Sequence, residues 1–556
     1  VIRRAVESAM PGVTVRDPLS PSGSLDGQYS SDLWGLYLAI EDPDGSFLDE
    51  RGLDDGIVYH IAGNEGDKTH QGATHPRDTS DWNNFINGSQ TRTSNTAANE
   101  TWWRANLDVA SYNGFHAANR ITGNVDLREG WNHYFYHRGS DGRWLPIPWD
   151  LDMMYFPKTH WSGTIDQKNS LVIPSLRLEY RNRCRELLDL LCEDASTTGG
   201  QVGQLVEEYR RIIQPAGESV GWDILDQYLW NYHPRTTGGH TGRFYQPRVA
   251  SDDRIGGSWT RTYATTNFAG ICRFLVDYAT DTDPNRFTVG DGDQRGYGYN
   301  YLEFDAADAA VPIRPTLAYA GPAGFPVNSL DFVAGEFSDP QGAESFAGMQ
   351  WRLGEIAAPG VPGYREGDPF TYEVTDLFRS EVLKSPATSF RFPVAVCQPG
   401  HTYRARVRYQ DNTGRWSRWS PAVSFVAGVP DVSVYRNALV VSEVNYHPLP
   451  VTPAEFAAGF SSDDFEWIEL NNVGPGPVDM TGLQFSEGID FAFPDGWTVA
   501  PGGYALVVRN REAFRTRYGT GRDGLIAGET SDNLRNSGEQ LTLSFGLATP
   551  VVSFAY

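Results

Sequence analysis

The sequence predicts a multidomain chain: a mixed α+β unit to about residue 308, then two all-β units of the immunoglobulin-like sandwich type. Three observations predict it. The 556 residues exceed what one hydrophobic core supports, so two to four domains are expected. Before residue 308, apolar residues recur with a helical period in several segments. From about Ala309 that period vanishes, and short alternating runs separated by Gly, Pro and Ser turns replace it.

In chain order, LWGLYLAIE (Leu33–Glu41) reads as a buried strand and Asn106 to Ile121 as a helix. SLRLEYRNRCRELLDLLCED carries a helical stripe at Leu176, Tyr180, Cys184, Leu187, Leu188 and Leu191. VGQLVEEYRRII continues it with Val202, Leu205, Val206, Tyr209 and Ile213, and the Gly-rich segment from Thr236 to Asn300 reads as loops. YRARVRYQD sets Tyr403, Ala405, Val407 and Tyr409 against Arg404, Arg406 and Arg408, which predicts a half-buried antiparallel strand. RWSRWSPAVSFV reads as the next strand, and a third unit follows from about Asp431 with ALVVSEVNY, FEWIELNN, GYALVVRN and EQLTLSF. The expected boundaries are 1–308, 309–430 and 436–556.

A formal charge of −24 argues against a nucleic-acid or anionic-membrane partner, since either needs a basic face. No apolar run approaches the roughly 18 residues of a membrane helix. Four cysteines, Cys184, Cys192, Cys272 and Cys397, form neither a disulfide framework nor a zinc-type motif. Cys184 and Cys192 sit about two turns apart on one predicted helix, too far to bridge. The start at Val1 and the strand-like end VVSFAY read as those of a fragment or processed piece, incomplete at both ends, with any signal peptide upstream.

The stretch NVDLREGWNHYFYHRGSDGRWLPIPWDLDMMY, Asn124 to Tyr155, carries the candidate chemistry. Strand-favouring runs flank HRGSDGR, so the segment reads as a β-hairpin whose turn centres between Ser140 and Asp141. That register pairs Asn132 with about Trp149 and brings Asn132 and Asp150 side by side at the open end. Asp126, in the loop before the first strand, can point into the same space. An Asp, then an Asn, then a hairpin ending in Asp is the layout of a protein-kinase catalytic centre. There the first Asp accepts the proton of the attacking hydroxyl, while Asn and the second Asp offer hard oxygen ligands to Mg²⁺. Here five residues separate Asp126 from Asn132 and WDLD stands where kinases carry DFG; the plain alternative is an acidic hairpin with exposed carboxylates.

The segment resembles the CotH kinases, atypical secreted kinases related to bacterial spore-coat protein H. The resemblance rests on GLYLAIEDPDGSFLDERGLDDGIVYH, GNVD, WNHYFYH and PIPWDLD, in order, with WNYHPRTTGGHTGRFY and VGDGDQRGYGYNYLEF further on. It spans roughly Asp32 to Phe304 and implies an atypical protein-kinase-like fold that uses ATP with Mg²⁺ or Mn²⁺. It also implies a secreted or cell-surface bacterial protein that phosphorylates Ser or Thr hydroxyls of a protein substrate. By position it makes Asp126 the catalytic Asp, Asn132 and Asp150 metal ligands, and Glu41 and Asp152 further acids on the cofactor side. Family members carry a phosphate-binding cation in an N-terminal lobe, normally Lys. Before Asp126 this chain has only Lys68, and His60 stands in IVYH where Lys is expected. The clamp lies upstream of Val1, or Arg or His replaces it, or the site is degenerate and the chain is a non-catalytic adhesion scaffold.

The third unit resembles a lamin-tail domain through VVSEVNYHP, EWIELNN, VDMTGLQFSEGIDFAFPDGWTVAPGGYALVVRN and LRNSGEQLTLS; its Trp467 reads as a core anchor, with Glu466 and Glu469 as surface charges. The middle unit resembles a fibronectin type III sandwich. Its WSRWS, Trp416 to Ser420, resembles the box of cytokine-receptor modules in which arginines of a neighbouring strand stack on the tryptophans. The two sandwiches imply contacts with surface proteins or polysaccharides.

Two weaker signals are set aside. DTDPNRFTVGDG (Asp281 to Gly292) starts like a calcium loop, but Arg286 and Gly292 replace its glycine and closing Glu. His133 and His137 have zinc-like spacing, but no third ligand is evident, and packing or surface placement is the expectation.

Overall fold

The structure, a computed structural model, describes residues 40–62, 65–122, 124, 127, 131–151, 165–192, 200–213, 254–255, 262–263, 306–386, 388–394, 396–546 and 549–556. The expected loops at 236–300, with the calcium-like segment 281–292, fall almost wholly outside these.

The first region is built on one antiparallel sheet. Its strands are β1 (Ile57–Ala62), β2 (Glu65–His70), β3 (Trp131–His137) and β4 (Trp144–Pro148), in the order β2-β1-β3-β4. Strand alternation sends Ile57, Tyr59, Ile61, Phe135 and Trp144 to one face, where they pack with Trp82, Phe85, Trp103 and Leu176. Those partners come from helices α2 (Ser80–Thr91), α3 (Ala97–Asn106) and α6 (Pro174–Cys192). The opposite face carries Val58, Tyr134, Tyr136 and Trp149, packed with Leu48 of the short helix α1 (Gly45–Glu50).

Helix α4 (Val109–Thr122) starts three residues later than the sequence suggests. Leu107 interrupts the expected run by bridging to Trp144, and Asp108 caps the new start by accepting from the Ser111 amide at 3.0 Å. The expected strand at Leu33–Glu41 is not found at its described end, where Ile40 is 62% exposed. Helix α5 (Ile165–Ser170) precedes α6, whose expected stripe is buried at Leu176, Tyr180, Cys184, Leu187 and Leu188 and half-buried at Leu191. Helix α7 (Gly200–Ile213) forms too, but of its expected stripe Leu205 and Tyr209 stand exposed while Val206 is buried. A two-strand pair, β5 (Arg254–Ile255) and β6 (Thr262–Tyr263), follows.

The middle region places two antiparallel sheets around one core. β7 (Leu317–Tyr319), β8 (Asp331–Ala334) and β11 (Ser389–Arg391) form one; β9 (Phe346–Ile356), β10 (Phe378–Arg379), β12 (Thr402–Asp411) and β13 (Val423–Val426) form the other. Tyr403, Ala405, Val407 and Tyr409 of β12 all lie in that core. The arginine face of β12 departs from the half-buried expectation: Arg406 is buried against Glu373 and the Ser420 carbonyl, and Arg408 against Gln350 with Glu186 of helix α6 at 4.0 Å. WSRWS is not a strand. Ser417 and Ser420 fasten it beside β12, their hydroxyls accepting from the Tyr409 and Val407 amides at 3.0 and 3.2 Å.

The last region has a sheet of β14 (Leu439–Asn445), β15 (Trp467–Asn472), β20 (Tyr504–Val508) and β21 (Ile526–Glu529). A second sheet holds β17 (Leu483–Glu487), β18 (Phe491–Ala492), β22 (Gln540–Phe545) and β23 (Thr549–Ala555), and β16 (Val478–Asp479) pairs with β19 (Thr498–Val499). The four strands expected from sequence are β14, β15, β20 and β22. Glu466 overturns its surface reading: it is 2% exposed and accepts the Leu534 amide at 2.8 Å. Among the described residues no helix is long and apolar enough to cross a membrane.

Candidate functional site

The hairpin closes as its turn chemistry requires. Gly142 takes φ 68, and the Gly142 amide reaches the Arg138 carbonyl at 3.1 Å. The ladder runs from His137 opposite Trp144 to His133 opposite Pro148, so one further step sets Asn132 against Trp149, the register expected from sequence. The other side of β3 is irregular. Ile61 faces His133 and Ala62 faces Trp131, leaving Asn132 as the extra residue of a β-bulge.

Asn132 has φ 65, and Asp150 at the other strand's open end has φ 53. Phe325 is the third non-glycine residue with positive φ among the described residues. Short polar side chains tolerate this left-handed region better than others, and bulges re-aim side chains beside functional sites. Asp150 is exposed, and its carboxylate makes no hydrogen bond or ion pair among the described residues. An amide oxygen and a carboxylate at one hairpin end are a hard-oxygen donor pair, which fits Mg²⁺ or Mn²⁺ in chemistry.

Asp126 and Asp152 lie outside the described residues. Asn124 and Leu127, on either side of Asp126 in sequence, are buried: Asn124 accepts the Leu127 amide at 3.3 Å and donates to Asn119 of α4 at 2.9 Å. Glu41 lies just before helix α1. It is exposed and forms a two-pronged ion pair with Arg51 at 2.5 and 2.7 Å, which holds its carboxyl below the usual range. His60 packs its ring on Tyr134 at 4.7 Å and edge-on to Trp149 at 6.4 Å, one residue from Asp150. Lys68 is engaged elsewhere, donating to Gln71 and to the Pro76 carbonyl at 2.9 and 2.8 Å. His133 is buried against Phe135, and among the described residues no three His, Cys, Asp or Glu groups could hold a metal.

Two networks escaped the sequence reading. At the turn end of the hairpin, Asp81 accepts from Tyr59 at 2.6 Å and meets His137 Nδ1 at 2.9 Å; His137 stacks on Trp144 at 4.2 Å, and His75 meets it edge-on at 4.6 Å. Their partners are dispersed in sequence, and only the i, i+4 histidine pair gave a signal. In the middle region Arg406 and Arg404 converge on buried Glu373, beside Arg352. A cleft of about 500 Å³ lies where α4 and α6 meet that region, lined by Asn113, Arg183, Glu186, Arg379, Arg408 and Trp416 among others.

The fold and hairpin thus define an α+β unit with a candidate oxygen-donor site at the open end of the β3–β4 hairpin, followed by β-rich regions. Residues 24–196 match the family model described as CotH kinase protein, which covers the hairpin and α6. No curated protein matches the chain. Among solved structures, the sporulation control protein Spo0M from Bacillus subtilis matches at 6% identity, over 29% of this chain and 69% of its own, with a TM-score of 0.13. Dimeric latent PorU from Porphyromonas gingivalis matches at 10% identity, over 44% of this chain and 24% of its own, with a TM-score of 0.15. Likenesses at these scores carry no argument about fold or activity.

Proposed function

We propose that the chain is an atypical kinase that transfers the γ-phosphoryl group of ATP to Ser or Thr hydroxyls of a protein substrate. The observation that carries this reading is the pairing of Asn132 and Asp150, both left-handed, at the open end of one hairpin inside the CotH-matched region. Asp126 would orient the attacking hydroxyl and take its proton. Asn132 and Asp150 would hold Mg²⁺ or Mn²⁺ through oxygen, with Asp152 as a further carboxylate. The bound ion neutralises charge that develops on the phosphoryl oxygens. His60 and Trp149 would wall the site on the sheet side. The reading extends to a secreted or cell-surface bacterial protein whose regions 309–430 and 436–556 are fibronectin type III-like and lamin-tail modules that contact surface proteins or polysaccharides.

The engagement of Lys68 with Gln71 and Pro76, and of Glu41 with Arg51, favours a second reading, a non-catalytic scaffold. ATP calorimetry with and without Mg²⁺ or Mn²⁺, followed by a phosphotransfer assay, separates the two. Metal-dependent binding with transfer supports the kinase. Absence of both supports the scaffold.

A further inference from the structure

The WSRWS box carries an unusual charge load for a chain of net −24. Arg408 lies between Trp416 and Trp419, at 4.2 and 4.4 Å from their rings, and Arg352 and Arg379 approach Trp419 at 6.0 Å. Of the three arginines on the β12 face, Arg408 alone stacks on these tryptophans at close range. Arg404 and Arg406 are drawn instead to Glu373. The guanidinium of Arg408 is anchored by Gln350 at 2.7 Å, and an acid lies 4.0 Å from it.

That acid comes from outside the region. Helix α6 presents Asn182, Glu186 and Asp189 at positions i, i+4 and i+7, which share one helix face. Asn182 accepts the Trp416 amide and donates to the Gly414 carbonyl, both at 3.0 Å. Glu186 meets Arg379 at 3.0 Å and lies 4.0 Å from Arg408. Asp189, 1% exposed, accepts from the Arg418 guanidinium and the Trp419 amide at 2.7 Å each, with Arg314 at 3.5 Å. Two further contacts flank these: Gln201 of α7 accepts the Glu373 amide at 2.6 Å, and Asp308 accepts from Arg415 at 2.9 Å. Buried carboxylates must be matched by charge and hydrogen bonds together; Asp189 has both, while Glu186 Oε1 is matched by the charges of Arg379 and Arg408.

We infer that the WSRWS box is a docking face for an acidic helical stripe of the pattern Asn-x3-Glu-x2-Asp, occupied in cis by helix α6, which joins the helical layer behind the hairpin and the middle β-region into one cooperative body. Helix α6 thereby takes up the Trp419 side of the box, beside the cleft lined by Arg408 and Trp416. The inference does not depend on nucleotide chemistry, and its test contains no nucleotide.

Hydrogen exchange on the full chain reads it directly. Arg418→Ala, in the β-region, should speed exchange of the α6 amides at 174–192 by about tenfold or more, with a smaller rise in α4. The same charge removed at exposed Lys384 should leave both helices unchanged. Reciprocally, Asp189→Asn, which keeps an acceptor for the Trp419 amide, should speed exchange at 414–420. Changes confined in each variant to the region that carries the substitution would overturn the inference.

Discussion

Asn132 and Asp150 stand at the open end of one hairpin with φ of 65 and 53, one as the extra residue of a bulge and the other just past β4. The shared left-handed backbone separates two effects that a single substitution would confuse. A residue with a β-carbon but no polar group costs roughly 1–2 kcal/mol in this region, whereas glycine does not. Asn132→Ala should lower stability to urea by about 1 kcal/mol, and Asn132→Gly should leave it near the parent. Both should weaken metal-dependent ATP binding by about tenfold or more if the amide is a ligand, since a lost charge-assisted contact costs about 1.5–3 kcal/mol. Equal destabilisation by Ala and Gly would refute the backbone argument. Unchanged ATP affinity in both would refute the ligand role alone.

Asp150 allows the cleaner test of the metal. It is exposed and makes no side-chain bond among the described residues, so Asp150→Asn should shift the melting temperature little. Calorimetry should then find Mg²⁺-dependent ATP binding abolished in the variant. Parent-like affinity would remove Asp150 from the ligand set.

The hairpin and its register were legible because the turn chemistry is local and the period of two fixes which residues oppose. The bulge was not, because it depends on how β3 pairs with β1, more than 70 residues away in sequence, where Ile61 faces His133. The arginine face of β12 was misread for a similar reason. Alternation separates two faces but does not say what covers the second, and the groups that do, Glu373 on Arg406 and Glu186 of α6 on Arg408, are distant in sequence. Glu466 looked like a surface charge because it precedes an alternating strand; its burial comes from Leu534, which closes over it from a distant loop.

Glu373 should be indispensable to the middle region. It is fully buried and meets Arg352, Arg404 and Arg406, so its removal takes the shared carboxylate away from three guanidinium groups. Breaking a buried ion network from one side costs about 3–5 kcal/mol. Glu373→Gln should lower the stability of this region by that order in guanidinium denaturation followed by tryptophan fluorescence. A loss below about 1 kcal/mol would mean the arginines find other partners or water.

Glu466 should make the last region less stable as pH rises. Burial pushes its carboxyl up to about 7, Asp463 and Glu539 add repulsion, and Arg509 with the Leu534 amide opposes the shift. One oxygen, Oε1, is buried with no hydrogen-bond partner among the described residues, so the ionised form is poorly matched by its surroundings. A folded-state value raised above the ordinary 4.5 means that the native state binds the proton more tightly than the unfolded chain. The stabilising contribution is therefore complete below about pH 4.5 and is lost as pH climbs through about 7. At 1.36 kcal/mol per pH unit, it is on the order of 3 kcal/mol. Asp81 runs the other way: hydrogen bonds from His137 and Tyr59 outweigh burial and hold its carboxyl low, so the first region loses stability as pH falls instead. Urea melts of the full chain between pH 5 and 8, followed by hydrogen exchange in β15 and β20, should find these strands weakening toward pH 8. Glu466→Gln should flatten the trend, because the amide cannot ionise. A slope that persists in the Gln variant would assign the pH dependence to another group and leave Glu466 a passive buried acid.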